Sequence, residues 1–207
     1  MRLRRSVLLV PLAAAILVGC SGPGSAPASS QRASIPPSAS GEDPGVSAVP
    51  AGSVEPIPSD ELGEFTCDLP IVEDPTVAIA NIVDVRTGRH DGYDRVVFEF
   101  EQGTPELTLD RATPPFTQDA SGEPIAVDGT SFLRLSMRGG TKQTDQGTSS
   151  YDGPTDFAAG LPALVHLVEG GDFERQSTWY LGLSAESCVR VTLLEDPPRV
   201  AIDVEHP

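Results

Sequence analysis

Lysine is almost missing from this 207-residue chain. Lys142 is the only one, and 14 basic groups in all face 30 acidic ones, for a net charge of −16. An acidic excess of that size excludes nucleic acid as a partner, since such an interface needs a basic face to displace counterions. It also keeps a domain soluble and repels anionic polymers at low salt, so the plain reading is a solvated acidic surface. Loss of residues 1–19, with Arg2, Arg4 and Arg5, leaves 11 basic against 30 acidic groups, a net of −19. The preference for Arg, whose codons are mostly GC-rich, over Lys points to a high-GC bacterial genome.

Catalytic and metal-binding patterns are scarce as well. His90, His166 and His206 are the only imidazoles, and nothing in their spacing resembles a metal-ligand set. His166, inside a strand pattern, reads as a packed residue. Asp91, Asp94 and Asp172 do not make a calcium loop. Gly182-Leu183-Ser184-Ala185-Glu186 lacks the second Gly of a nucleophile elbow, and no helix pattern follows it. The expectation is no catalytic residue, no metal and no cofactor, with a small hydrolase as the one enzymatic alternative. Helix signals are missing too: after residue 60 no amphipathic stretch of useful length occurs.

What is present falls into three parts. Residues 1–19 read as an export signal, with three arginines followed by an apolar run, Val7 to Val18, too short for an ordinary transmembrane span. Leu17-Val18-Gly19-Cys20 matches a bacterial lipobox, so Cys20 is the expected acceptor of a diacylglyceryl group and further palmitate-type acylation. Two or three chains together anchor stably where one does not. The alternative is a plain secretory leader with a chance Cys. Arg4-Arg5 is faintly like a twin-arginine signal. Residues 20–62 are Ser-, Pro-, Ala- and Gly-rich and cannot bury enough surface to offset chain entropy. They read as a partly extended spacer. The expected location is the extracellular face of the cell membrane, lipid-anchored, with residues 63–207 as one folded domain.

That domain reads as strands. Thr76–Val85 pairs with Tyr93–Glu101 as a hairpin around Asp91-Gly92, because Gly tolerates positive φ and Asp bonds its nearby backbone. Val96, Phe98 and Phe100 alternate with Arg95, Val97 and Glu99, and Arg199–Val204 repeats the pattern. In both, an Arg and an acid four residues apart share a face, which suggests pairing along the strand. Glu106–Leu109, Pro124–Val127, Ser131–Met137, Ala163–Glu169, Ser177–Leu183 and Cys188–Leu194 supply further strands. Gly170-Gly171 reads as a breaker, and Gly139–Gly160 as a long polar loop. Short, evenly spaced strands of this kind predict an all-β domain, a small antiparallel β-sandwich or barrel. With Cys20 taken by lipid, Cys67 and Cys188 remain as an even pair in an oxidising compartment and are expected to form a disulfide, with two separate buried thiols as the alternative. Tyr93 borders the Asp91-Gly92 turn. Trp179 stands beside Tyr180, so one of the two is expected to face outward, with core packing as the alternative for each ring.

Val85-Arg86-Thr87-Gly88, Tyr93–Phe100, Gly171-Asp172-Phe173-Glu174, Trp179 and Asp196-Pro197-Pro198 through Val204 together resemble the AMIN-like domain of actinobacterial secreted proteins and lipoproteins, over about residues 76–207. Arg175 occupies the position after Gly-Asp-Phe-Glu where that pattern leads one to expect Gly. No amidase or secretin domain accompanies the stretch. The related AMIN domain is a sandwich of two small sheets that directs envelope enzymes to peptidoglycan. The resemblance implies a non-catalytic domain binding peptidoglycan or another cell-wall polymer, with Arg86, Tyr93, Arg95 and Trp179 as candidate contacts. The alternative is a scaffold or accessory subunit that recognises an envelope protein.

Overall fold

The computed structural model describes residues 62–207. The export signal, Cys20 and all of the spacer except Leu62 therefore lie outside the described residues. Leu62 itself is buried.

Thirteen strands are found among the described residues, and no helix. One sheet has six strands in the order β1 (Ile71–Glu73), β4 (Glu106–Arg111), β7 (Ser131–Arg138), β11 (Gln176–Leu183), β10 (Leu164–Phe173) and β9 (Asp156–Phe157). The other has five, in the order β12 (Val189–Leu194), β13 (Arg199–Glu205), β3 (Tyr93–Phe100), β2 (Ala80–Arg89) and β8 (Gly140–Thr141). Every neighbouring pair in the two sheets is antiparallel except β2 with β8, which is parallel over two residue pairs. A short hairpin of β5 (Phe116–Thr117) and β6 (Pro124–Ile125) completes the set. The described residues form an all-β sandwich, as their alternating pattern requires.

The core is the sum of the inward-facing halves of each strand. Val96, Phe98 and Phe100 of β3 and Val200, Ile202 and Val204 of β13 meet Leu107, Leu109, Leu133, Leu135, Met137, Trp179 and Leu181 from the six-stranded sheet. Phe98 and Trp179 form an edge-to-face pair with centroids 5.2 Å apart. Such a pair adds roughly 0.5–1.5 kcal/mol beyond its area burial.

Trp179 is therefore wholly core, and Tyr180, next along the strand and pointing the other way, is buried too. The β5–β6 hairpin lies over that second face, and Tyr180 packs on Phe116 at 4.7 Å, with Ile125, Phe132 and Val168 nearby. Neither ring of the pair faces outward, because a sheet face that alternation assigns to solvent is here covered by another piece of chain.

Glycines 170 and 171 do not end β10. The strand runs on to Phe173 with β-bulges between Leu164 and His166 and between Glu169 and Gly171. The first bulge puts Leu164 and Leu167 in one core, although period-two counting assigns them to opposite faces. Gly170 lies under the Tyr180 ring, where a Cβ would come within 2.7 Å of Cε2. The β10–β11 connection is a two-residue turn in which Glu174 and Arg175 both hold positive φ, 52° and 62°. That is the mirror-type turn that suits hairpin twist, built here from two side chains that disfavour it.

Cys67 and Cys188 are joined, closing a loop of 121 residues. On the chain-entropy account a loop of that length contributes at most ~5 kcal/mol. Beside the bridge, Thr66 and Val189 exchange two backbone hydrogen bonds of 2.8 Å, which lay residues 62–67 along the β12 edge. The Asp91-Gly92 turn joins β2 to β3 as expected, with Gly92 at φ 84°. The 139–160 stretch carries β8 and β9 and is held further by Asn81 Nδ2 donating to the Gln143 carbonyl and Ser150 Oγ to the Ile82 carbonyl, each 2.8 Å.

Candidate functional site

The outward face of the five-stranded sheet collects three of the four residues expected to touch a ligand. Strand register explains how. Arg190, Asp203, Arg95 and Gly88 form one row across β12, β13, β3 and β2. Thr192, Ala201, Val97 and Arg86 form the next, and Leu194, Arg199, Glu99 and Asp84 the third. Cross-strand neighbours stand about 5 Å apart, whereas four residues along one strand span roughly 13 Å. The acid–arginine pairs are accordingly set across strands.

Asp203 is fully buried and takes both guanidinium groups. Arg95 donates Nε to Oδ1 at 2.6 Å and Nη2 to Oδ2 at 2.9 Å. Arg190 donates Nε and Nη2 to Oδ2 at 2.9 and 2.6 Å. The hydrogen bond to Asp203 holds the Arg95 guanidinium above its ordinary pKa, against the opposing effect of burial. Glu99, which the strand pattern offers to Arg95, is instead bonded to Arg86 Nη1 at 3.1 Å, and the same nitrogen meets Asp84. Arg199 likewise turns away from Asp203 and donates to the backbone carbonyls of Pro197 and Asp196.

Aromatic rings close one end of this lattice. The Arg190 guanidinium lies 4.5 Å from the Phe65 ring centroid and 5.1 Å from that of Tyr93, while Arg95 lies 5.3 Å from Tyr93. His90 stacks on Tyr93 with centroids 4.8 Å apart and planes 5° from parallel. Burial, and then the nearby Arg95 charge, hold the His90 pKa below its usual value, so the stacked ring is neutral near pH 7. Arg190 also donates Nη1 to the Gly63 carbonyl at 3.1 Å. The segment bearing Phe65 thus caps the row.

The four expected contacts therefore separate. Arg86 is 42% exposed, Tyr93 is half-buried at the rim, and Arg95 is 13% exposed and held by Asp203. Trp179 lies on the other sheet, in the core, where its Nε1 donates to Ser177 Oγ at 2.9 Å. Arg95 is placed to position Tyr93 rather than to reach outward. Two participants escaped sequence reading, Phe65 and Arg190. Phe65 follows the low-complexity spacer, and Arg190 matters only once β12 is known to lie beside β13.

The aspartates considered for a metal are dispersed. Asp94 is fully buried, accepting the Ala163 and Leu164 amides at Oδ2 and His206 Nε2 at Oδ1. Asp172 accepts Thr141 Oγ1 and the Lys142 amide. Asp91 stays in its turn. Among the described residues no group of three or more His, Cys, Asp or Glu converges as a metal site. His166 is packed, accepting the Asp128 amide at Nδ1, which leaves Nε2 to donate to Asp156 at 2.8 Å.

No curated protein and no solved structure matches the chain. The family model of the AMIN-like domain matches residues 80–206, which run from the first residue of β2 past the end of β13 and include every row of the arginine–acid lattice. By that match over more than half its length, the chain belongs to the AMIN-like domain family.

Proposed function

We propose that this is a non-catalytic lipoprotein, anchored through Cys20 at the outer face of the cell membrane, whose β domain binds peptidoglycan. The observation that carries the reading is membership of the AMIN-like family, because the related AMIN domain is a peptidoglycan-targeting module. The contact surface is the rim of the five-stranded sheet, where Arg86 and the stacked Tyr93–His90 pair adjoin the β2–β3 turn. Tyr93 offers a flat ring edge to a sugar, and Arg86 a guanidinium to a stem-peptide or muramyl carboxylate. Arg95 and Asp203 hold Tyr93 in place. Trp179 has no part in the contact.

Charge limits the mode of binding. An acidic domain meeting an anionic wall gains nothing from long-range steering, so added salt is expected to weaken binding little or to help it. Sedimentation of residues 60–207 with purified sacculi tests the reading. Tyr93→Ala and Arg86→Ala are expected to lose pelleting with unchanged melting temperature. If the unsubstituted domain stays in the supernatant at every salt concentration, the peptidoglycan reading falls and recognition of an envelope protein replaces it. Cys20→Ser is expected to release the protein from membranes; equal retention of both forms overturns the anchor.

A further inference from the structure

The β5–β6 hairpin covers one end of the outward face of the six-stranded sheet, over Tyr180 and Val168. At the other end the register sets Glu106, Arg138, Gln176 and Phe173 side by side across β4, β7, β11 and β10. Asp119 follows the β5 strand and bounds this row on the hairpin side, its amide donating to the Gly170 carbonyl at 2.9 Å. Asp119, Arg138, Phe173, Glu174 and Gln176 line a cleft of about 240 Å³.

Phe173 is 52% exposed, and it is the one exposed aromatic ring among the described residues. Every other Phe, Tyr and Trp described is buried or half-buried. A lone exposed apolar side chain is ordinary. This one shares its cleft with four flat polar groups: two carboxylates, a guanidinium and an amide. The ring is also firmly carried. Phe173 pairs with Gln176 in the β10–β11 ladder, and the Arg175 carbonyl accepts the Gly139 amide at 2.8 Å. The intervening turn keeps Glu174 and Arg175 at positive φ, a conformation that persists only where its surroundings fix it.

We propose that this cleft binds an uncharged pyranose chain, with one sugar ring lying on Phe173 and its hydroxyls on Asp119, Arg138, Glu174 and Gln176. The C–H face of a sugar suits an aromatic ring. Each hydroxyl both donates and accepts, so it uses carboxylate acceptors and amide or guanidinium donors together. Charge selects against a carboxylated sugar. Arg138 is bonded to Glu106 at 2.6 Å and Arg175 to Asp145 at 3.0 Å, whereas Asp119 and Glu174 have no ion-pair partner among the described residues. A peptide fits less well. Arg138 and Gln176 stand on strands paired on both sides, where no further strand can be added. The sugar is either N-acetylated or a plain hexose. The site lies on the other sheet from Tyr93 and Arg86 and does not rest on wall binding there.

The test is a titration of the full chain, followed by backbone amide shifts, in a polyoxyethylene detergent whose head group carries no sugar. Three oligomers are compared: chitotetraose for an N-acetylated chain, cellotetraose for a plain one, and tetragalacturonate as the carboxylated control. At least one neutral oligomer is expected to shift the amides of Arg138, Phe173 and Gln176, and the stronger of the two identifies the source. Tetragalacturonate is expected to shift none of them. Phe173→Ala is expected to weaken the neutral oligomer about ten-fold with unchanged melting temperature. Phe173→Trp is expected to bind at least as tightly, which a ring that merely covers the sheet would not require. No shift with either neutral oligomer, shifts confined to the Tyr93 rim, or equal binding of tetragalacturonate overturns the proposal. So does unchanged affinity in Phe173→Ala, or lost binding in a folded Phe173→Trp.

Discussion

Two carboxylates, one on each sheet, meet their cations in opposite ways. Asp203 is wholly buried and receives four hydrogen bonds from two guanidinium groups, both of them also covered by rings. Glu169 receives one bond from one ammonium and buries its other oxygen bare. Burial raises the Glu169 carboxyl above its ordinary pKa, the Lys142 bond works against that rise, and Asp172 adds to it. The difference separates a carboxylate that the fold depends on from one that the fold merely tolerates. Removing a partner from the first leaves buried charge stranded; neutralising the second removes a cost.

The largest effect is expected from breaking the first site. Asp203→Asn keeps the shape but leaves Arg95 and Arg190 without their anion, and unfolding by urea is expected to show a loss of about 3–5 kcal/mol. Arg95→Met should cost less, since Arg190 still holds Asp203. Next comes the cover over that site. Cys67→Ser frees the segment that brings Phe65 onto Arg190 and is expected to cost about 2–4 kcal/mol, read from the same titration. Non-reducing peptide mapping of the native chain should show the single Cys67–Cys188 link.

On the Glu169 side the expected effects are smaller and of opposite sign. Arg175→Gly, in the turn that ends Glu169's own strand, relieves one left-handed side chain and is expected to stabilise by about 1 kcal/mol. A melting temperature that falls would mean that the Arg175–Asp145 pair outweighs the backbone relief. Least of all is Glu169→Gln. A carboxyl whose folded pKa lies above its unfolded value binds its proton more tightly in the native state. Its contribution is therefore fully present below the unfolded pKa and is lost as pH rises through the folded one. The variant should flatten that acid-side decline, with stability at pH 7 unchanged or slightly raised. A steeper loss of stability in the variant would count against the contrast.

Much of the architecture was legible because period-two alternation survives in β3, β7 and β13, where one side of each strand is continuous core. Legibility failed where a second layer intervened. The face shared by Arg95 and Glu99 was visible, but being on one face is not contact; the register that brings Asp203 beside Arg95 depends on which strands are neighbours. Alternation alone places one of Trp179 and Tyr180 outside, because the hairpin covering Tyr180 has strands of only two residues, too short to leave a period. In β10 the bulges shift the count in mid-strand, and Gly170-Gly171, which reads as a break, is where the strand passes beneath a ring. The Lys142–Glu169 pair was invisible for a different reason. Its two residues come from separate stretches, and neither carries a motif. Tyr151, whose hydroxyl is pushed up to about 12 by burial and then by Asp84 and Glu169, belongs to the same unsignalled assembly.

The Cys67–Cys188 bond also decides how the domain would carry tension. A pull entering at the N-terminal side passes straight from residue 67 to residue 188, so the whole closed loop, with eleven of the strands complete within it, is outside the path of the force. Only the short lead-in to Cys67 and the residues after Cys188 can be drawn out, each by no more than about 3.6 Å per residue. The bulk of the sandwich would then hang from the load as a side group and keep its shape while β12 and β13 bear the strain.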